Sequence, residues 1–168
     1  MSITSNIIVT DTNIITDLHT AGILDKFVSL NNTYISDMVK NDEINYKTGN
    51  LKLIEKFKVL PSTSEQLMEV VKLRQTRKSL SSPDIINFII ARDINGVLAT
   101  GDDKLKKFAE ENGVKVIRTL KIIELLRQYG KITIKEETKA YTNLFNDDKT
   151  RIPKNEIEKR INQSKVVT

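Results

Sequence analysis

The sequence contains no cysteine and only one histidine among its 168 residues. Without cysteine, neither a disulfide framework nor a zinc site built on thiolates can form. The one histidine, His19, cannot assemble a histidine-rich metal site by itself, and we expect it to be a partly exposed helix residue with no special role. Candidate chemistry therefore rests on oxygen ligands.

Long apolar runs and a basic leader segment are also missing. The sequence therefore predicts neither a membrane span nor a signal peptide, and we expect a cytoplasmic protein without membrane contact. Its composition, 39% hydrophobic and 29% charged, is ordinary for a globular protein. A chain of this length forms one domain with a real core, and it is too short for two comfortable ones.

Short apolar runs alternate with longer amphipathic stretches, which predicts an α/β fold with a parallel sheet covered by helices on both faces. The predicted strands are Ile7 to Val9, Thr33 to Ser36, Phe57 to Leu60, Val97 to Thr100 and Val114 to Arg118. The predicted helices are Asn13 to Leu30 with a break near Gly22, Asp37 to Tyr46, Thr63 to Lys78, Pro83 to Ile94 and Asp103 to Asn112. Further helical segments follow Thr119, one through Leu125 and Leu126 and others around residues 135–145 and 154–161.

Two acidic segments follow predicted buried strands. Asp11 comes directly after the first strand, and Asp102 follows the strand that begins at Val97. In an open parallel sheet, ligands bind at the carboxyl ends of the strands, above all where the strand order reverses. If the two strands are neighbours, both carboxylates share one crevice, where Mg²⁺ or Mn²⁺ would relieve their repulsion. This pattern predicts a metal-dependent phosphoryl-transfer or hydrolysis site.

A third aspartate, Asp84, lies in a segment whose sequence is also typical of a helix N-terminus. Ser82 is the predicted N-cap, Pro83 the first helical residue, and Asp84 faces the positive end of the helix dipole. Capping alone would account for Asp84 at this position. Asp11 is harder to explain in this way, because a carboxylate after a buried strand costs desolvation.

The order and spacing of these segments resemble the PIN-domain nucleases, and most closely the VapC-like toxins of prokaryotic toxin-antitoxin pairs. The likeness covers about residues 6 to 129, and residues 151–153 in the tail are similar to some relatives. It rests on Ile8 to Asn13, on Ile35 to Val39 with Asp42, Glu43 and Ile44, on Leu80 and Ser81 with Asp84 and Ala91, and on Leu98 to Asp102 with Leu105.

The resemblance implies that Asp11, Asp84 and Asp102 are catalytic, metal-binding carboxylates. Asn13 is similar to the polar residue that often follows the first aspartate by two, and Thr100 to a hydroxyl that supports the last acidic segment. The implied cofactor is Mg²⁺ or Mn²⁺, which binds the scissile phosphate and lowers the pKa of a bound water.

The second acidic position has two candidates. Counting from Val39 points to Asp42, which a helical wheel also places nearer the face of that residue. Counting back from Ile44 points to Glu43, which we prefer because its longer side chain can reach from the rim of the helix. Asp103 is expected to start a helix, with assistance to a second metal ion as the alternative.

The implied fold is a three-layer α/β/α sandwich with a five-stranded parallel sheet in the order 3-2-1-4-5. That order places the first and fourth strands side by side, as the two acidic segments require. We expect residues 1–129 to form the PIN-like nuclease domain and residues 130–168 to form a C-terminal helical extension that packs on it.

Basic residues outnumber acidic ones, 27 against 22, for a formal net charge of +5. This excess favours a polyanionic partner, because phosphate neutralisation drives nucleic-acid affinity. The first candidates for RNA binding are Lys104, Lys106 and Lys107, which follow Asp102. The alternative path is Lys72, Arg74, Arg77 and Lys78, ahead of Asp84. A solvated helix face accounts for either group equally well.

Together these features predict a Mg²⁺-dependent endoribonuclease that is the toxin of a type II toxin-antitoxin pair. The resemblance implies a transfer or ribosomal RNA substrate and a cognate antitoxin, and we expect a homodimer. The alternatives are a PIN nuclease of RNA processing, a phosphatase or phospho-relay domain, and an RNA-binding PIN protein with decayed chemistry. A phosphatase of the haloacid-dehalogenase type requires an aspartate at the position of Asn13. A receiver domain requires an aspartate after the third strand, where this chain has Leu60 and Pro61.

Overall fold

The computed structural model describes the backbone of residues 2–46 and 49–166, and the side chains of residues 2–42 and 49–164. The strands are β1 (Ile8–Thr10), β2 (Thr33–Ser36), β3 (Lys58–Leu60), β4 (Val97–Ala99) and β5 (Lys115–Ile117). The helices are α1 (Thr12–Thr20), α2 (Leu24–Val28), α3 (Asp37–Tyr46), α4 (Leu51–Ile54), α5 (Ser64–Thr76), α6 (Ser82–Asp93), α7 (Asp103–Glu111), α8 (Thr119–Gln128), α9 (Ile134–Asn146) and α10 (Lys154–Val166).

Within the described residues, the strands form one parallel sheet in the order β3-β2-β1-β4-β5. Strand β1 lies at the centre, where the strand order reverses, and its Thr10 is paired in register with Ala99 of β4. The predicted fold class and strand order are therefore confirmed. The residues that follow β1 and β4 lie at the same edge of the sheet, which is the usual ligand position in such folds.

Both faces of the sheet are buried, because successive side chains of a strand point to opposite sides. In β1, Ile8 belongs to one hydrophobic cluster and Val9 to the other. The same alternation occurs in β4, where Val97 and Leu98 belong to opposite clusters. Continuous apolar runs are expected in strands that are covered on both faces.

Helices from both halves of the chain cover the sheet. Helices α1, α2, α8 and α9 bury side chains in the cluster that contains Ile8, and α5, α6 and α7 bury theirs in the cluster that contains Val9. The segment after residue 130 contributes to the first cluster through Ile132, Tyr141 and Ile157, among others. Burying a side chain such as Ile157 stabilises the fold by roughly 1.5–3 kcal/mol.

Two glycines have conformational reasons for their positions. Gly22 has φ of +78° and separates α1 from α2, which confirms the break predicted there. A Cβ at Gly96 would lie 2.9 Å from the carbonyl oxygen of Ile7, so only glycine lets β4 enter beside β1. The adjacent Val97 N–H donates to that same carbonyl at 2.8 Å.

The element boundaries differ from the predictions by a residue at several strand ends. Strand β1 runs from Ile8 to Thr10 instead of Ile7 to Val9, and β5 ends at Ile117 so that Arg118 becomes the N-cap of α8. Helix α4 was not predicted, because a single turn is too short to show a period. No helix in the described part of the chain is long and apolar enough to span a membrane.

The two outer strands of the sheet are short and carry exposed lysines. Strand β3 begins at Lys58, and β5 begins at Lys115. The Nζ of Lys58 donates to the carbonyl of Asn31 at 3.2 Å and lies 5.8 Å from the centre of the Tyr34 ring. Each edge is therefore three residues long and carries a positive charge.

Candidate active site

The candidate site lies where β1 and β4 end. Asp11 follows β1 directly, and its N–H donates to the carbonyl of Ala99 at 3.0 Å, which extends the ladder between the two strands by one bond. Asp11 is also the N-cap of α1, and its Oδ1 accepts from the Ile14 N–H at 2.9 Å. Only 6% of the Asp11 surface is exposed.

Thr100 connects the two acidic segments. Its hydroxyl donates to Oδ2 of Asp11 at 2.5 Å and accepts from the N–H of Asp102 at 3.1 Å. The Gly101 N–H also donates to Oδ2 of Asp11, at 3.3 Å. Because Thr100 is completely buried, water cannot replace its hydroxyl without a rearrangement. The segment after β4 is therefore hydrogen-bonded directly to the carboxylate after β1.

Asp102 is half-buried and caps α7, where its Oδ1 accepts from the Leu105 N–H at 2.8 Å. The capping arrangement repeats that of Asp11 on α1, so two helix N-termini begin at neighbouring strand ends. Helix N-termini favour negative charge, so each carboxylate lies at an electrostatically favourable end of its helix. The structure thus places Asp11 and Asp102 at one edge of the sheet, as predicted from the sequence.

Asp84 is the third residue of α6 and takes part in a capping box. Its Oδ2 accepts from the N–H of Ser81 at 2.8 Å and from the Ser81 hydroxyl at 2.7 Å, while its own N–H donates to that hydroxyl. The predicted N-cap, Ser82, was wrong by one residue: Ser81 is the cap, and Pro83 occupies the second helical position. The shift follows from Asp84, because the reciprocal box requires the carboxylate three positions after the cap.

Burial raises the pKa of Asp11 from 3.8 to about 6. The hydrogen bonds from Thr100, Ile14 and Gly101 act in the opposite direction, and the negative charge of Asp84 raises the pKa further. Asp84 is therefore close enough to Asp11 to repel it electrostatically, although the two lie on different elements. A strongly perturbed carboxyl group beside a second carboxylate is typical of functional sites.

The second acidic position lies on α3, which packs against β2 and α6. Asp42 is half-buried, and it lies one helical turn beyond Val39, which is in the core. Glu43 belongs to the backbone of α3, but its side chain lies outside the described residues. Both candidates remain predictions.

Asn13 and Asp103 flank the carboxylates on the side of β5. Asn13 is exposed, and a Cβ built on Gly101 would lie 3.5 Å from the Asn13 Cβ, so the two residues face each other. Asp103 is the first residue of α7, and its Oδ1 accepts from Arg118 at 2.6 Å. The Arg118 guanidinium also donates to the carbonyl of Gly101 at 2.8 Å.

The three candidate lysines lie on α7. Lys104 is exposed, whereas Lys106 and Lys107 form long ion pairs of 3.9 Å with Glu110 and Glu111, one turn later on the same helix. Such exposed pairs contribute little to stability, so these ammonium groups are available to other anions.

The donor chemistry of the site fits a hard divalent cation. Asp11 and Asp102 supply carboxylate oxygens at one edge of the sheet, and a cation would relieve the repulsion between Asp11 and Asp84. Among the side chains of residues 2–42 and 49–164, no three acidic or histidine residues are close enough to form a ready ligand cluster. Mg²⁺ nevertheless requires only one or two carboxylates, because water and substrate phosphate complete its coordination.

A cavity of about 820 Å³ adjoins these carboxylates on the side of β5. Helix α1 presents four polar residues to it at helical spacing, namely Asn13, Thr16, Asp17 and Thr20. The opposite wall comes from the end of β5, the start of α8 and the connection between α9 and α10. Because Gly101 and Asn13 line it, the cavity opens beside the carboxylate site.

The sequence interpretation named Asn13, Asp103, Lys106 and the tail residues 151–153, but it missed the other residues of this cavity. Asp17 accepts a 2.6 Å hydrogen bond from the Thr119 hydroxyl, and burial raises its pKa, as does the charge of Asp147. Arg118 had a usable signal, because it follows the last strand just as Asp11 follows the first. Arg151 and Asp147 lie far along the chain, and no spacing in the sequence connects them with the sheet.

Comparison with known proteins gives a family model and a fold. The model for the PIN domain matches residues 7–165. No curated protein matches the chain. Among solved structures, the crystal structure of PAE2754 from Pyrobaculum aerophilum is similar, with a TM-score of 0.54 and 21% sequence identity over 73% of this chain and 96% of that one. At this identity the likeness shows the fold alone.

Proposed function

We propose that this chain, which belongs to the PIN domain family, is a Mg²⁺-dependent endoribonuclease with its site at the edge of the sheet where β1 and β4 end. PIN domains are generally nucleases and typically use divalent metal ions. The observation that carries the proposal is the buried carboxylate of Asp11, hydrogen-bonded to Thr100 and under the electrostatic influence of Asp84. Burying the Asp11 carboxylate destabilises the folded protein, because the desolvation of a charged group costs free energy unless a partner offsets it.

Asp11, Asp84 and Asp102 would hold the metal ion, with Glu43 as the fourth carboxylate and Asp42 as its alternative. A bound Mg²⁺ or Mn²⁺ supplies a lowered pKa for a coordinated water and stabilisation of the charge that develops on the phosphate. Thr100 fixes the rotamer of Asp11 through its hydroxyl and fixes the following loop through the Asp102 N–H. Asp84 is fixed through Ser81, and both hydrogen bonds fall on its Oδ2.

The test is cleavage of RNA by the purified protein. With Mg²⁺ or Mn²⁺, the wild type should cut a single-stranded oligoribonucleotide and a folded RNA internally, and excess EDTA should abolish cleavage. Asp11→Asn should be inactive, whereas Glu158→Gln, which removes an exposed carboxylate of α10, should cut normally. An Asp11→Asn protein as active as wild type would contradict the proposed site. Hydrolysis of p-nitrophenyl phosphate without any RNA cleavage would favour the phosphatase alternative.

The narrower proposal is that the enzyme is the toxin of a toxin-antitoxin pair, acts on an RNA of translation in the cytoplasm, and is inhibited by a cognate antitoxin. It is supported by the resemblance of the acidic segments to VapC-like toxins. Induced expression of the wild type in a bacterial host should stop growth, and Asp11→Asn should not. Normal growth together with RNA cleavage in vitro would favour a role in RNA processing.

A further inference from the structure

We propose that the cavity between α1, β5 and the C-terminal helices is the channel in which the substrate RNA strand lies next to the cleavage site, with Lys149 and Arg151 as its phosphate ligands. This inference rests on the proposed nuclease function and goes beyond it, because it names the path of the strand. It also assigns a function to the segment after residue 130.

The position of the cavity is the first argument. Gly101 lines the cavity and donates its N–H to Oδ2 of Asp11, and Asn13 lines the cavity two residues after Asp11. A strand with one phosphate at the carboxylates would therefore pass over Asn13 and Gly101, which lie side by side, into the cavity. The volume of about 820 Å³ is in the range of sites that enclose ligands, and it is larger than any one side chain requires.

The charge of the wall is the second argument. Basic side chains outnumber acidic ones there, with Lys106, Arg118, Lys121, Lys149, Arg151 and Arg160 against Asp17, Asp103, Asp147 and Glu156. The basic residues differ in their availability. Arg118 is paired with Asp103, and both Lys121 and Arg160 are paired with Glu124, so these three cations are already neutralised in part.

Lys106 forms a long ion pair of 3.9 Å with Glu110, which leaves Lys149 and Arg151 as the two cations without an ion pair among the described lining residues. Both are exposed, and the structure, over the side chains it describes, gives neither an ion pair within 4 Å. The charge of Arg151 nevertheless lowers the pKa of Asp17, which shows that the guanidinium is near the cavity wall formed by α1. Exposed cations at a polar cavity are the usual means of holding a phosphate backbone.

The segment that carries these two residues is held in place. Lys154 donates to the carbonyls of Phe145 and Asp147, the latter at 3.2 Å, and closes the connection between α9 and α10. Inside it, the Lys149 N–H donates to Oδ1 of Asp147 at 3.0 Å. Ile152 packs against the core cluster. Because the backbone is fixed, binding a phosphate here costs little ordering of the chain.

The test compares two pairs of charge removals on the same extension. Lys149→Gln with Arg151→Gln removes the proposed ligands. Lys135→Gln with Lys139→Gln removes two exposed lysines of α9 that do not line the cavity. A fluorescent single-stranded oligoribonucleotide is titrated against each pair in an Asp11→Asn background, which prevents cleavage, over a range of salt concentrations. Kcat and KM are measured separately for each pair with Asp11 intact.

We expect the cavity pair to bind RNA about tenfold more weakly. The slope of log affinity against log salt should fall by about 1.4, for two phosphate contacts of a single strand. KM should rise while kcat stays near wild type, because neither residue touches the carboxylates. The α9 pair should behave as wild type.

Two outcomes would overturn the channel while leaving the nuclease intact. One is wild-type affinity and salt slope for the cavity pair in a protein that cuts RNA. The other is displacement of the oligonucleotide by an equal concentration of mononucleotide, which would make the cavity a small-molecule site. A wild type that neither binds nor cuts RNA would instead remove the proposed function itself.

Discussion

The Thr100 hydroxyl lies 2.5 Å from Oδ2 of Asp11, and both groups are buried where two central strands end. The same hydroxyl accepts from the Asp102 N–H, so one side chain fixes both acidic segments. A hydrogen bond to a buried carboxylate is stronger than one between neutral groups. Thr100 is therefore a positioning residue, and its effect on Asp11 can be measured.

Thr100→Val keeps the shape of the side chain and removes the hydroxyl. We expect the free energy of unfolding to fall by about 1–3 kcal/mol, since Asp11 loses a donor and the Asp102 N–H loses an acceptor. The pKa of Asp11 should rise further, because the Thr100 hydrogen bond lowers it. The acidic limb of the pH–activity profile should therefore move to higher pH. The control is Thr142→Val, whose exposed hydroxyl only donates to the Thr138 carbonyl; an unmoved profile in Thr100→Val would contradict the positioning role.

Divalent metal should stabilise the folded protein. At one hundred times its dissociation constant, Mg²⁺ or Mn²⁺ should raise the free energy of unfolding by about 2.7 kcal/mol, because it binds the native site and relieves carboxylate repulsion. Thermal or urea unfolding at fixed ionic strength measures this effect. Asp11→Asn combined with Asp102→Asn should lose it, and an equal stabilisation of that double variant would place metal binding elsewhere.

The metal-free protein should become less stable as the pH rises from about 4 to about 6. The pKa of Asp11 is about 6 in the folded state and near 3.8 when unfolded, so the folded protein binds more protons within this window. Because the folded state binds more protons than the unfolded state, the free energy of unfolding falls as the pH rises. The contribution of Asp11 to this fall is on the order of 3 kcal/mol. Urea unfolding in EDTA across the window measures the change.

Other carboxyl groups also make the free energy of unfolding depend on pH, and their contributions must be subtracted. Burial also raises the pKa values of Asp17 and Glu137, which act in the same direction, whereas Glu69, in its ion pair with Arg92, acts oppositely. The Asp11→Asn variant retains these groups, so the difference between its curve and that of wild type isolates Asp11. Parallel curves would show that Asp11 titrates normally.

Ser81→Ala and Asp84→Asn separate helix capping from catalysis. Ser81→Ala removes the cap of α6 and should cost about 1 kcal/mol of stability while RNA cleavage persists. Asp84→Asn keeps an oxygen that can accept from the Ser81 N–H but removes the charge, so stability should change little and cleavage should be lost. Unfolding and cleavage assays on both proteins suffice. Normal cleavage by Asp84→Asn would mean that this carboxylate only caps the helix.

Asp42→Asn and Glu43→Gln identify the second acid of α3. We expect Glu43→Gln to lose cleavage and its metal-induced stabilisation, and Asp42→Asn to retain both. The reverse result would assign the position to Asp42. If both variants remain active, neither acidic residue of α3 belongs to the site. The two single variants are therefore measured side by side.

The fold was predictable because its signals are local. The apolar runs that end at Thr10 and Ala99 have the length and flanking polar residues of buried strands, and their placement at the switch point follows from the sheet order. The resemblance to PIN-domain nucleases is confirmed at the level of the family. The exact ends of the helices were harder to predict. Ser81 and Ser82 are both good N-caps, and only the position of Asp84 decides between them.

The cavity was not predictable for a different reason. Its walls join Asp17 to Thr119 and Arg151, which are brought together by the packing of α8, α9 and α10 and have no common sequence pattern. A partly buried hydrogen bond between residues 102 positions apart leaves no local signature. Tertiary packing, not propensity, creates this part of the molecule.

The lysines on the two outer strands affect how readily the protein aggregates in concentrated solution. An open parallel sheet leaves unpaired backbone donors and acceptors on its outer strands, and these can recruit a strand from another molecule. In this protein each outer strand is three residues long and begins with an exposed lysine, Lys58 on one side and Lys115 on the other. Two molecules that approach edge to edge would therefore bring like charges together. This repulsion protects the chain against aggregation through β-pairing while both edges remain open to solvent.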